Sequence, residues 1–294
     1  MNGSAKASVK SIEVVIEPSR GWLRIRWREL WEYRDLFWQF VRRDFATKYR
    51  QTFLGPLWFI LQPLLMTAVL TIVFGRIARL STDNTPPVLF YLCGLLAWSY
   101  FAQTLPAIGS TFTTNAHLFG RIYFPRLTVP MAHLVGNLVS VFLQMVTFAA
   151  LWSYYRWMSD FGQHPMTPLL PALGLLISAQ LQIMLLALGA GSLLAAATGK
   201  YRDLQHATPL LIQLWFYATP IVYPLSLISA EARWRWVAIL NPMTAPVEAM
   251  KQALLGESSW TPQMACGAYG MTLVLLVIGL AAFTRAERTV VDIA

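Results

Sequence analysis

Residues 88–112 read VLFYLCGLLAWSYFAQTLPAIGSTF, a stretch without one Asp, Glu, Lys or Arg. A helix of about 20 apolar residues spans the hydrocarbon core of a bilayer. Five more stretches share the property, at 53–75, 127–155, 170–198, 207–224 and 264–284. The pattern predicts an all-α integral membrane protein with six transmembrane helices. Those stretches lack the buried carboxylates and cations that ion-driven transporters use as relays. Any uphill movement would then draw its energy from another chain.

Composition points the same way. Of the 294 residues, 56% are hydrophobic and 13% charged, whereas a soluble domain carries about a quarter charged residues. One polytopic membrane domain follows. Residues 1–52 are polar and basic, so a cleaved signal peptide is not expected. Cys93 and Cys266 fall inside predicted spans and read as apolar packing, with no disulfide framework or metal site.

The net charge of +9 is unevenly placed. Of the 23 Lys and Arg residues, 11 precede the first stretch and two each lie at 113–126, 199–206 and beyond 284. The intervening loops hold only Arg76, Arg79, Arg156, Arg233, Arg235 and Lys251. Positive charge gathers on the cytoplasmic side, which predicts both termini inside. Because these residues hug membrane ends, nucleic-acid binding is not expected.

The chain divides into a cytoplasmic tail and interface helix (1–52), a membrane domain (53–284) and a cytoplasmic tail (285–294). Within residues 22–43, Arg28, Glu32, Asp35, Gln39 and Arg42 recur at helical spacing as a polar ridge. Leu30, Tyr33, Phe37, Phe40 and Val41 line the other side, flanked by Trp27, Trp31 and Trp38. The pattern predicts a helix with its aromatic face sunk among lipid headgroups. Prolines interrupt spans one, two and five at Pro56, Pro63, Pro106, Pro209 and Pro220. Each frees a carbonyl that lipid cannot satisfy, so these helices either bend around a pathway or kink against neighbours. In span four Gly189, Gly191, Ala195, Ala196 and Ala197 offer a surface for close helix approach. Residues 225–263 are too charged to span, and predict an outer re-entrant or interfacial helical hairpin broken at Asn241 and Pro242.

Catalytic patterns are scarce. Gly199 and Lys200 resemble the end of a phosphate-binding loop, but Leu194 occupies the first glycine position and Tyr201 replaces the Ser/Thr. His117, His133, His164 and His206 lie on separate segments, and His133 reads as a hydrogen-bonded packing residue. The loop at 115–126 mixes aromatics with two arginines. It suits a protein-docking surface and a membrane-interface turn equally well.

Several separated motifs occur in order. They are Arg43 and Asp44 followed by KYRQTFLGPLW (48–58), Gln62-Pro63-Leu64, Val73-Phe74-Gly75, and RIYFPR (121–126) with Pro130. Then come Lys200-Tyr201-Arg202-Asp203, TPIVYP (219–224) and Leu240-Asn241-Pro242-Met243. From about Arg42 to Gly256 the chain closely resembles the membrane-spanning subunit of ABC-2 type exporters for cell-surface polysaccharides such as O-antigen, capsule or teichoic acid. Thr219 stands where that family often has Ser, and Gly199-Lys200 replaces a more usual Val-Arg-like pair.

The resemblance implies a homodimer in the bacterial cytoplasmic (inner) membrane, bound to two copies of a separate ABC ATPase that carries the ATP and Mg. No cofactor or metal is expected on this chain. It also implies that Asn115, His117, Leu118, Phe119, Arg121, Tyr123 and Arg126 form a coupling helix seated on that ATPase. Residues 225–263, with Trp234, Trp236, Asn241 and Pro242, would be an outer gate.

The expected cargo is a glycan on a polyprenyl pyrophosphate carrier. Arg42, Arg43, Lys48 and Arg50 are the candidate pyrophosphate ligands, with Arg121 and Arg126 also available, though the same charges suit anionic lipid. Tyr91, Trp98 and Phe101 share a face of span two, and Trp58, Trp215, Tyr217 and Tyr223 could oppose them. Such rings stack on sugar faces without binding tightly. Lipid-facing belt positions are the alternative for Tyr91 and Tyr223. Two competing functions stand beside this one: within the same resemblance, an ABC-2 exporter of a lipid or drug, and, outside it, a membrane acyl- or glycosyltransferase relying on Asp203 and His206.

Overall fold

The computed structural model describes residues 27–49, 53–119, 124–158, 166–228 and 234–291, and every regular element among them is helical. In chain order these are α1 (Trp27–Glu32), α2 (Arg34–Tyr49), α3 (Trp58–Leu70) and α4 (Pro87–Gly109). Next come α5 (Thr111–Thr114), α6 (Ala116–Phe119), α7 (Thr128–Gly136), α8 (Leu138–Met158) and α9 (Leu169–Lys200). The chain closes with α10 (Leu204–Ala218), α11 (Trp234–Leu240), α12 (Thr244–Leu255) and α13 (Pro262–Val291).

Among the described residues, five helices are long and apolar enough to cross a membrane: Gly55–Ile77, Pro87–Gly109, Thr128–Met158, Leu169–Lys200 and Pro262–Glu287. They match predicted stretches one, two, three, four and six. The stretch expected at 207–224 is different. Its helix, α10, has 15 residues and is about 22 Å long at 1.5 Å per residue. It stops at Ala218, and Thr219 is extended with φ −100° and ψ 139°. A residue preceding a proline is pushed out of the helical region, and Pro220 follows. Residues 219–224 continue as non-helical chain.

Helix α4 is buried along most of its length against α3, α8, α9 and α12, and so forms the axis of the core. Pro63 sits inside α3, so the Phe59 carbonyl has no N–H four residues onward. Buried Gln144 of α8 compensates. Its Nε2 donates to Phe59 O at 3.4 Å, and its Oε1 accepts from Ser99 Oγ at 2.6 Å. A neighbouring helix thus supplies what lipid cannot. Gln144→Leu is expected to lower the thermal midpoint, at a cost of about 1–3 kcal/mol. Adding Pro63→Ala restores an N–H within α3 and should recover part of that loss. An equal loss in the single and double variants would contradict this role.

The amphipathic segment differs from expectation in its partner. The helix continues to Tyr49, while residues 22–26 lie outside the described residues. Its apolar side, including Tyr33, Phe37, Phe40 and Val41, packs on Phe124, Val129 and Ala132 rather than projecting toward headgroups. Trp31 and Trp38 remain exposed. The region expected as a hairpin forms a short turn at Leu225–Leu227 followed by α11 and α12. Helix α12 is core: every residue from Thr244 through Lys251 is buried.

Candidate functional site

The basic end of the bundle is built from α2, α6, the segment leading into α7, and the end of α13. Phenylalanine rings run through it in series. Centroids are 5.5 Å apart for Phe40 and Phe124, 5.6 Å for Phe119 and Phe124, 6.1 Å for Phe112 and Phe119, and 4.6 Å for Phe112 and Phe283. Polar contacts run beside them. Arg43 donates to Asp44 Oδ1 from Nε at 3.1 Å and Nη2 at 2.9 Å, and Nη2 also donates to Asn115 Oδ1 at 3.3 Å. His133 Nδ1 stands 2.9 Å from Asp44 Oδ2. Burial raises the Asp44 carboxyl's hold on a proton, but His133 and Arg43 outweigh it and keep the group below its ordinary value.

Arg126 closes the junction from the other side. Its Nη1 donates to Glu287 O in α13 at 2.8 Å, and its guanidinium lies 5.0 Å from the Phe119 ring centroid. The loop expected to dock a partner is therefore fastened to α2 on one side and α13 on the other. A cavity of about 380 Å³, lined by Leu36, Gln39, Phe40, Arg43, Leu118 and Phe124, opens between α2 and α6.

Several predicted site residues change character here. Asn115 is buried and its Nδ2 donates to Thr111 O at 3.2 Å, so it braces the loop instead of offering a docking surface. Arg126 is buried against Glu287 and Phe119, which withdraws it from phosphate binding. Leu118 and Phe119 are half-buried, and Arg42 is exposed. Arg50, Arg121 and Tyr123 lie outside the described residues, as do the side chains of Lys48, His117 and Trp234. Asp203 and His206 are both exposed.

The expected pathway aromatics separate into two groups. Tyr91 and Phe101 are 0% exposed and Trp98 is 6% exposed, all within this one subunit. Trp98 packs on Phe101 and Phe216 at 5.5 and 5.6 Å, and Phe101 meets Trp215 edge-on at 4.9 Å. These rings pack against each other in tilted and edge-on contacts, and Trp98 and Phe101 present no face to a sugar. Trp58 and Tyr217 are exposed, whereas Trp215 and Tyr223 are half-buried. At the break between α10 and α12 Trp236 is exposed, while Asn241 and Pro242 are buried. Asn241 Oδ1 accepts from Trp215 Nε1 at 2.8 Å, and its Nδ2 donates to Thr219 Oγ1 at 2.8 Å. It thereby ties the end of α10 to the start of α12.

Residues 35–255, from α2 to the end of α12, match the family model described as ABC-2 type transporter. The chain belongs to that family. As an ABC-2 transporter membrane domain it is a multi-pass membrane protein. The O-antigen export system permease protein RfbA of Myxococcus xanthus is 34% identical over 220 residues, covering 74% of this chain and 79% of that protein. A Klebsiella pneumoniae protein of the same name is 22% identical over 259 residues, covering 88% and 95%. The polysialic acid transport protein KpsM of Escherichia coli is 24% identical over 250 residues, covering 84% and 91%.

Sequence reasoning missed three parts of this ABC-2 domain. Glu287 and Phe283 lie on α13, far along the chain from their partners Arg126 and Phe112, and no local pattern links them. The third part, Glu248 and Lys251, did leave a signal. Two opposite charges three apart in an otherwise apolar helical run are placed to pair.

Proposed function

We propose that this chain is the permease subunit of an ATP-driven exporter. It moves a polyprenyl-pyrophosphate-linked surface polysaccharide of the O-antigen kind across the bacterial cytoplasmic membrane. The observation that carries this is the 34% identity to a named O-antigen export permease across 74% of the chain. The subunit works as a homodimer with two copies of a separate ABC ATPase, which holds ATP and Mg. Six crossings with both termini inside follow if α10 and the non-helical residues 219–224 together make the fifth crossing. Residues 225–263 then form the outer gate.

On that reading, three groups of residues take roles. The α6 segment, braced by Arg43, Asn115 and Arg126, is stiff enough to transmit a push from the ATPase to α2 and α13 together. Arg43, which lines the cavity between α2 and α6, and the exposed Arg42 suit a pyrophosphate with a lipid tail. Trp58 and Tyr217 keep ring faces open for sugars.

Deleting the gene should remove surface polysaccharide, and restoring this chain should return it, with an ATP-binding chain co-purifying. Normal surface polysaccharide in the deletion strain would favour export of a lipid or drug instead.

A further inference from the structure

Two ionisable side chains lie at the outer break, away from the braced junction. Lys251 and Glu248 of α12 are each 2% exposed, with Nζ 3.0 Å from Oε1. The ammonium also donates to Pro220 O at 2.7 Å and sits 4.2 Å from the Phe90 ring centroid. Glu248 Oε2 accepts the Ser259 N–H at 3.0 Å. Lys251, counted from the sequence as an outer-loop charge, is thus an interior one. The six uncharged stretches remain uncharged, but the interior is not free of ions.

Four segments meet on this pair: the start of α4 through Phe90, the break at 219–224 through Pro220, α12 itself, and the approach to α13 through Ser259. Carbonyls in a non-helical segment need donors that lipid does not offer. Asn241 Nδ2 donates to Ala218 O at 3.2 Å, Ile221 N–H donates to Thr219 O at 2.7 Å, and Lys251 takes Pro220 O. Burying an ion pair is costly, and apolar or neutral replacements of both members often preserve or improve stability. Packing alone therefore does not explain a charge here.

We propose that Lys251 and Glu248 are positioning residues of the transport path. They hold the 219–224 break against α4, α12 and the approach to α13, so that the outer ends move as one body. This rests on the export reading, and the experiment separates the two.

In a deletion strain, wild type, Lys251→Met, Glu248→Gln and the double variant are compared by three readouts. These are protein in the membrane, ATP hydrolysis by the purified complex, and surface polysaccharide by carbohydrate staining of whole cells. Lys251→Met leaves Glu248 buried and unpaired, so its membrane level should fall at least tenfold. The double variant removes both charges, and should return membrane level and ATP hydrolysis to within twofold of wild type. Its surface polysaccharide should stay at least tenfold low, because the Lys251 ammonium no longer donates to Pro220 O. Wild-type polysaccharide in the double variant would overturn the proposal, leaving the pair a packing element. A double variant that fails to accumulate would overturn it as well, since the pair would then serve the fold itself. A deletion strain that never loses its polysaccharide overturns the export reading before any variant is compared.

Discussion

Gly279→Ala is expected to prevent the protein from accumulating in the membrane. Helices α9 and α13 cross with Gly279 against Gly189, and a methyl group at 279 would strike the Gly189 carbonyl oxygen directly. It would also lie 2.7 Å from the Gly189 carbonyl carbon. Both obstacles are backbone, so no side chain can rotate away. A methyl at 189 is no better placed, at 2.7 Å from Leu276 N and Cα. Overpacking typically costs about 1–3 kcal/mol, and more where backbone must move. The crossing must open, and a cost above about 3 kcal/mol is expected. Gly267 and Gly270 of the same helix provide the control, because a methyl there meets nothing within 4 Å. Alanine at either should be neutral or stabilising by up to about 1 kcal/mol, the helix-propensity difference. Membrane level and thermal midpoint of the three variants check this. Equal behaviour of all three would refute the close crossing.

Loss of the Arg126 guanidinium is the second large effect. Arg126→Met keeps an apolar stem beside Phe119 but removes the donor to Glu287 O, leaving only ring and apolar packing between the loop and α13. A hydrogen bond to a charged group contributes about 1.5–3 kcal/mol, so stability should drop by that order. Transport should suffer more. If the loop carries force from the ATPase, ATP hydrolysis by the assembled complex should persist while export falls at least tenfold. Arg126→Lys, which retains one donor, should export at an intermediate level. Export and hydrolysis falling in equal proportion would show that the latch supports assembly rather than transmission.

Much of the fold was legible because a membrane span is a bulk property of sequence. Length without charge identified five of the six stretches as membrane-length helices. It failed for the other, because apolarity does not encode continuity: Pro220 ended α10 after 15 residues. Periodicity likewise identifies a face but not its neighbour. Phe40 lies on the apolar side of α2 as its spacing predicts, yet the surface covering it is Phe124 and α7 rather than lipid. The shared face of Tyr91, Trp98 and Phe101 was real as spacing, but the same subunit buries all three. Proline chemistry carried further. The need for a donor at Phe59 O followed from Pro63 alone, whereas its source, Gln144, is 85 residues away. Site contacts such as Arg126 to Glu287 O, separated by 161 residues, arise only from the fold.

The decisive measurement is transport by purified protein in sealed vesicles, with and without the proposed ATP-binding partner. The chain alone should hydrolyse no ATP and should accumulate no lipid-linked polysaccharide under a proton or sodium gradient. With the partner and MgATP, accumulation should begin. Gradient-driven accumulation by this chain alone would contradict a permease powered from outside itself.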